Sequence, residues 1–246
     1  MLFRYLRSYC WTGPMVILAT VIYGTLDLLV SFFDGTGDTQ HRIAVAWSRA
    51  LLWIGGVRVS VIGLEKIQPN GSYVFAANHL SYSDTPTVLA HIPCNFRFMA
   101  KEGLFKIPFI GFHLRRGGHI PVPREDARGA VRALQEAARM MRERAISVLL
   151  FPEGGRTEGE LRPFKEGAAM LAIAAGKQIV PVMLKGTREV MPMGSLLMTP
   201  GLVEVRIGDP IPTEGLSPRD RGILTERVRN AIAAMQRESA HQAALV

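Results

Sequence analysis

SVLLFPEGGRTEGELRPFKEGAAMLAIAAGKQIVPVML, residues Ser147–Leu184, holds one strand–helix–strand unit, and that unit decides the fold. Ser147–Phe151 is a short apolar run of strand length, continuous rather than alternating, as expected of a buried strand. A loop rich in Gly and charge follows. Phe164–Ala175 then reads as a small-residue helix and Ile179–Leu184 as a second buried strand. Pro181 interrupts this strand, and because proline has no N–H to donate it predicts a sheet edge or a bulge there.

The same alternation extends outward on both sides. Upstream, Val57, Val59 and Val61 alternate with Arg58 and Ser60, the period of a half-buried strand. Ser72–Ala77, Phe96–Met99 and His119–Val122 are further strands. Asp126–Arg144 is the clearest helix, with an apolar stripe of Val131, Leu134, Ala138 and Met141 and arginines on its other face. Downstream, Leu202–Ile207 alternates again. Ser217 with Asp220 reads as a helix cap, followed by a stripe of Leu224, Val228, Ala231 and Met235. Strands alternating with helices predict an α/β fold, a single mostly parallel sheet flanked by helices. This part covers residues 56–246 as one domain of 246-residue chain.

Residues 1–55 read differently. Arg4 and Arg7 precede an apolar run from Cys10 to Phe33, long enough to span a bilayer, which takes ~20 residues. No small-residue cleavage site marks it as a signal peptide. Gly13, Pro14, Gly24 and Asp27 interrupt it. An Asp in mid-run is costly in lipid and suggests a helix lying at the interface or packed on another helix. If the run spans, the arginines favour a cytoplasmic N-terminus. A turn at Phe33–Gln40 leads to a second helix, His41–Ile54, whose Trp47 and Trp53 suit either a membrane boundary or a protein core. The pair reads as an apolar helical hairpin that associates with a membrane; a buried helix of a soluble domain is the alternative.

Composition narrows the partners. Hydrophobic residues make up 48% of the chain against 20% charged, and the net charge is +8. A basic balance points to nucleic acid or to an anionic membrane surface. Zinc-ligand spacing, long Lys/Arg runs and RNA-binding aromatic signatures are all missing from the sequence, so no metal and no nucleic acid is expected and the membrane is the better reading. Cys10 and Cys94, the only cysteines, argue for a reducing compartment rather than a disulfide scaffold.

Four stretches carry chemistry. In AANHLSYSDTP (Ala76–Pro86), His79 stands five residues before Asp84 on a turn after a strand. Imidazole titrates near neutrality and can take a proton from a hydroxyl, and a carboxylate on its other nitrogen fixes the tautomer. Ser81 and Ser83 raise a serine-nucleophile alternative, but the chain has no GxSxG elbow. In FPEGGRT (Phe151–Thr157), Gly154 and Gly155 allow close backbone approach, and Arg156 offers a planar fork to a phosphate. Glu153 is placed to accept from a substrate hydroxyl or to position Arg156; the plainer reading of the loop is a tight turn with a surface ion pair. Lys101, Arg124 and Lys165 put further cations on loops after strands, where open α/β sheets bind ligands. Ile179–Val182 lines an apolar channel or is plain core.

In this order, the four stretches resemble the four motifs of the glycerolipid acyltransferase family, of the lysophosphatidic acid acyltransferase type. His79–Asp84 matches its His-x4-Asp block, GHIPVPR ending at Arg124 its second block, FPEGGRT its Phe-Pro-Glu-Gly-Thr-Arg-Ser block and IVPV (Ile179–Val182) its fourth. The likeness runs from about Gly56 to Gly208. Gly155 and Thr157 replace the usual Thr and Ser, and Pro123 stands where Asp or Asn is common.

The resemblance implies acyl transfer to the sn-2 hydroxyl of lysophosphatidic acid, giving phosphatidic acid. His79 would be the general base and Asp84 its orienting carboxylate. Arg156 and Lys101 would hold the phosphate, Glu153 and Arg124 would help place the glycerol, and Gly154 would belong to the same substrate-binding set. The donor would be acyl-CoA or an acyl carrier protein, a substrate rather than a cofactor, and the site of action the cytoplasmic face of a membrane. Other lysophospholipid or lyso-aminolipid acceptors share these motifs. A lipid or thioester hydrolase and a non-catalytic anionic-lipid binder are the readings from other classes.

Overall fold

The computed structural model describes residues 6–107, 110–123, 125–195 and 197–244; Arg4 and Arg124 lie outside the described residues. In chain order, a π-helical turn, Ser8–Thr12, leads into α1 (Gly13–Val30), then α2 (Asp38–Gly55), β1 (Val57–Ile62), β2 (Val74–Ala77) and α3 (Asp84–His91). β3 (Phe96–Lys101), α4 (Ile110–Arg116), β4 (Ile120–Val122), α5 (Ala127–Glu143) and β5 (Ser147–Leu150) follow. The chain ends with α6 (Gly167–Ala175), β6 (Ile179–Lys185), α7 (Thr187–Val190), β7 (Gly201–Ile207) and α8 (Arg221–Ala244).

The strands form one sheet in the order β1-β7-β6-β2-β5-β3-β4. Every pairing is parallel except β6 with β7. The expected α/β architecture is therefore observed. The continuous apolar runs have a simple cause: β2 and β5 lie mid-sheet with both faces covered. Val74, Ala76 and Val148 face α5, α6 and α8 through Ala138, Met141, Leu171, Leu224 and Val228. Phe75, Ala77 and Leu149 face the other layer, through Val88, Leu89 and Ala44 of α3 and α2. β1, at the sheet edge, keeps the alternation read from its sequence.

Pro181 departs from the edge expectation, for β6 lies between β7 and β2. The bulge alternative describes what happens. Val182 pairs with Ile207 and Ile179 with Ile211, so two residues of β6 oppose the three residues Gly208–Pro210. The proline's donor-less nitrogen faces that bulge, and its carbonyl accepts from Gly208 N–H at 2.8 Å. Two stripes also shift. On α5, Val131 is exposed and the buried face runs through Ala137, Ala138 and Met141. On α8, Ile232 rather than Ala231 carries the stripe. α6 starts at Gly167, not Phe164, because Lys165 N–H is drawn to Pro152 O at 2.9 Å and holds that segment extended.

α1 and α2 form the hairpin, and the indole of Trp47 donates to Thr20 Oγ1 across it at 3.2 Å. The turn is built on Asp34, whose carboxylate accepts from Thr36 and Thr39 and is thereby held far below the usual carboxylate range. Gly37 is required at this turn. It has φ +83°, and a Cβ there would sit 2.6 Å from Gly117 O. Beneath the turn, Arg97 of β3 is fully buried. Its guanidinium donates to Asp38 Oδ1 at 2.7 Å, Thr36 O at 3.1 Å and Asn95 Oδ1 at 2.6 Å, which compensates the buried charge. The mid-run Asp27 is buried too, accepting at Oδ2 from His113 Nδ1 of α4 at 2.9 Å. α1 thus packs on another helix, α4, one of the two outcomes expected of an Asp in an apolar run. One apolar face of α1 is bare, with Ile17, Leu18, Val21, Ile22, Leu26 and Leu29 all exposed. Ser8–Val30 is long and apolar enough to cross a membrane, and little of it is covered by the rest of the chain.

Candidate active site

Five neighbouring strands, β6, β2, β5, β3 and β4, run parallel, so their carboxyl ends share one edge of the sheet. Crevices at such an edge are where open α/β sheets bind ligands. His79 follows β2 directly, and Phe151–Thr157 follows the neighbouring β5.

His79 Nδ1 lies 2.7 Å from Asp84 Oδ2. The same oxygen accepts from Leu80 N–H at 2.7 Å and Ser81 N–H at 2.9 Å, and Asp84 is fully buried. A carboxylate that accepts from two amides puts the proton on Nδ1 and leaves the Nε2 lone pair free. The imidazole, one-fifth exposed, stacks on Phe151 with centroids 4.1 Å apart and planes 18° apart. Its rotation is thus fixed at an edge and at a face.

The backbone of the histidine is held by the loop after β5. His79 N–H donates to Glu153 Oε1 at 2.8 Å, and His79 O accepts from Thr157 N–H at 2.8 Å. Glu153 is buried, and its other oxygen accepts from Arg162 N–H at 3.2 Å. Loops after β6 hold the rest of the His79–Asp84 segment. Ser81 Oγ donates to Met191 O at 2.6 Å and Ser83 Oγ to Thr187 O at 2.9 Å. Asn78 donates to Leu184 O at 2.9 Å and accepts from Leu184 N–H at 2.7 Å, carrying the β2–β6 ladder one residue past the strand. Both serines are buried and engaged in these anchoring bonds.

Arg156 lies on the outer side of this cluster. Its guanidinium carbon is 3.6 Å from the ring centroid of Tyr82. Gly154 has φ +72°, and a Cβ there would come within 3.0 Å of Lys165 Nζ. The positive φ favours glycine there, and its missing Cβ leaves room for the Lys165 side chain against the loop. Lys101 is exposed at the carboxyl end of β3, on the same sheet edge but separated from β2 by β5. The structure thus brings His79, Asp84, Glu153, Gly154 and Arg156 into one cluster and leaves Lys101 at its flank. An open cleft of ≈ 390 Å³ lined by Glu102, Phe105, Lys106, Arg115, His119 and Pro121 contains none of the clustered residues.

Residues 58–185 match the family model described as Acyltransferase, just over half of the chain. The chain belongs to the acyltransferase family. It is 33% identical over 235 residues to a chloroplastic 1-acyl-sn-glycerol-3-phosphate acyltransferase of Brassica napus, covering 93% of this chain and 66% of that one. It is 33% identical over 235 residues to the 1-acyl-sn-glycerol-3-phosphate acyltransferase of Chlamydomonas reinhardtii, covering 94% and 69%. Among solved structures it resembles the 1-acyl-sn-glycerophosphate acyltransferase PlsC of Thermotoga maritima, with TM-score 0.79, 27% identity and coverage of 96% and 98%. The chain spans from about half to two thirds of the length of the plant relatives it matches.

Some residues of this candidate site were not singled out from sequence. Phe151 opens the FPEGGRT stretch, yet nothing in its type marks it as a platform for imidazole. Tyr82 and Asn78 sit inside the His79 block, and only the three-dimensional path of the loop shows what they touch.

Proposed function

We propose that the chain transfers an acyl group from a thioester to the sn-2 hydroxyl of 1-acyl-glycerol-3-phosphate, forming phosphatidic acid. The observation that carries this reading is the 2.7 Å contact of His79 Nδ1 with buried Asp84, which leaves Nε2 without a protein partner among the described residues on a ring one-fifth exposed. Membership of the acyltransferase family supports it, as do the names of the relatives.

In the proposed mechanism, His79 Nε2 takes the proton of the acceptor hydroxyl as its oxygen attacks the thioester carbonyl. The C–S bond breaks, and the imidazolium returns the proton to the departing thiolate. Asp84 stabilises the imidazolium through Nδ1–H and stays ionised. No acyl-enzyme forms, since both serines of the block are engaged in anchoring bonds. Arg156 presents its fork to the acceptor phosphate, with Lys165 beside the Gly154 turn and Lys101 at the flank adding positive charge. Glu153 acts as a positioning residue, since both of its oxygens accept from backbone amides, one of them that of His79. Arg124 is assigned to the glycerol moiety on the motif alone. The donor is acyl-CoA or an acyl carrier protein.

The bare apolar face of α1 gives the domain its access to a bilayer-resident acceptor, with Trp53 exposed on α2 as a boundary residue. The proposed site of action is the cytoplasmic face, with α1 lying in the interface so that the arginine-flanked N-terminus and the sheet domain stay on the same side. The test is a panel of acceptors with one labelled acyl thioester. 1-Acyl-glycerol-3-phosphate should be acylated at least tenfold faster than lysophosphatidylcholine or monoacylglycerol. Equal rates on all three would contradict a phosphomonoester site.

A further inference from the structure

We propose that Tyr82 is a positioning residue that holds Arg156 ready for the acceptor's phosphate; the inference rests on the phosphate role given to Arg156 above. Tyr82 is the exposed member of an otherwise buried segment. Ser81 and Ser83 on either side are anchored inward to Met191 O and Thr187 O, so the backbone path turns the tyrosine outward. Half of it is exposed, and the Arg156 guanidinium lies over its ring at 3.6 Å.

A guanidinium stacked on a ring keeps its in-plane N–H donors for a ligand. Arg156 Nη1 is buried and has no hydrogen-bond acceptor among the described residues, so the fork is not consumed by the chain itself. A long, flexible side chain would otherwise lose rotamer freedom when an anion bound; the ring removes that freedom beforehand. The stack is a further tie between the two blocks. Glu153 and Thr157 already clamp the backbone of His79, and Tyr82 with Arg156 adds a side-chain link on the outer side. The residue that would bind phosphate is thereby set at a fixed offset from the residue that would take the proton.

The experiment measures KM for 1-acyl-glycerol-3-phosphate and, separately, for the acyl thioester, in Tyr82→Ala, Tyr82→Leu, Tyr82→Phe and Arg156→Ala. Loss of the ring face in the Ala and Leu variants should raise the acceptor KM about fivefold, within the range that a cation–π contact supplies. The donor KM should stay within about twofold of wild type, because a cation–π contact of this size acts only on the group it holds. Tyr82→Phe should restore the acceptor KM, and the Leu variant, which keeps apolar bulk, should fold with an unchanged unfolding midpoint. If Phe behaves like Ala, the hydroxyl and not the ring is used, and the inference is overturned. If Ala and Leu raise donor and acceptor KM together, the role is general loop packing and it is likewise overturned. An Arg156→Ala that raises the acceptor KM while Tyr82→Ala leaves it unmoved overturns the inference alone. An Arg156→Ala with unchanged acceptor KM overturns the phosphate reading beneath it.

Discussion

Asp84 Oδ2 accepts from the imidazole and from two backbone amides at once, so the His79 tautomer and the loop conformation depend on a single oxygen. Asp84→Asn should cut kcat by about 10²- to 10⁴-fold, because an amide nitrogen facing Nδ1 favours the wrong tautomer. The loss should appear in kcat rather than in acceptor KM; a variant within tenfold of wild type would argue against the dyad. Glu153→Gln puts an NH₂ where one amide donor now points. It should lower kcat about tenfold while the far-ultraviolet circular dichroism stays unchanged. At this scale the sequence was informative about residue types and silent about their partners. His79, Asp84 and Arg156 could be named because their chemistry is rare and their spacing patterned. Phe151 and Tyr82 could not, since an aromatic side chain becomes a platform only when the fold sets a partner over it.

The strand beneath the hairpin turn holds Arg97, one of the buried charges outside the site together with Asp27 and Arg206. Arg97 has no exposure and Asp38 is its charged partner. Asp38→Ala should lower stability by about 2 kcal/mol, less than a fully buried pair, because Asn95 and Thr36 still accept from the guanidinium. A shift in the urea midpoint would report it, and no shift would mean that the two neutral acceptors suffice. His41 of α2 sits edge-on to Phe96, and burial, followed by the nearby Arg97 charge, depresses its pKa to about 4; Asp38 and the Cys94 carbonyl oppose the shift, and His113 adds to it. The unfolded chain takes up that proton near pH 6.5 and the folded chain only near pH 4. Stability is therefore full above about pH 6.5 and declines as pH falls toward 4, by roughly 3 kcal/mol from this residue. His119 is shifted in the same direction and adds to the slope. His41→Asn should flatten the dependence of the unfolding midpoint between pH 7 and 5; an unchanged slope would remove His41 as its source. Elements were legible where a period was clear, as in β1 and α5. They stayed open where a neighbour decides the outcome: Pro181 left edge and bulge as alternatives, and it is tolerated mid-sheet because the Gly208–Pro210 bulge asks nothing of its nitrogen.

Across the whole molecule, one layer of the fold is unlike the rest. α1 is tied down at Asp27 and by the Trp47–Thr20 contact, and Ile17, Leu18, Val21, Ile22, Leu26 and Leu29 stay exposed along it. Leu18→Lys with Ile22→Lys should reduce partition onto anionic vesicles by at least tenfold, since each buried aliphatic side chain contributes about 1.5–3 kcal/mol. Co-sedimentation with vesicles measures this, and undiminished binding would move the membrane contact elsewhere. The α/β class was readable because buried parallel strands are continuous apolar runs. The contact between hairpin and sheet domain was not, because nothing in the sequence pairs Asp27 with a histidine 86 residues away. The central claim joins all three scales: a histidine base, at a sheet edge, on a membrane-docked domain, moves an acyl group to a lipid hydroxyl. The most direct test follows thiol release from acyl-CoA by the purified full-length chain with and without 1-acyl-glycerol-3-phosphate, alongside His79→Ala. The account predicts release that needs the acceptor, matches phosphatidic acid formed one for one, and falls at least 10³-fold in the variant. Acceptor-independent release, or a variant as active as wild type, would contradict it.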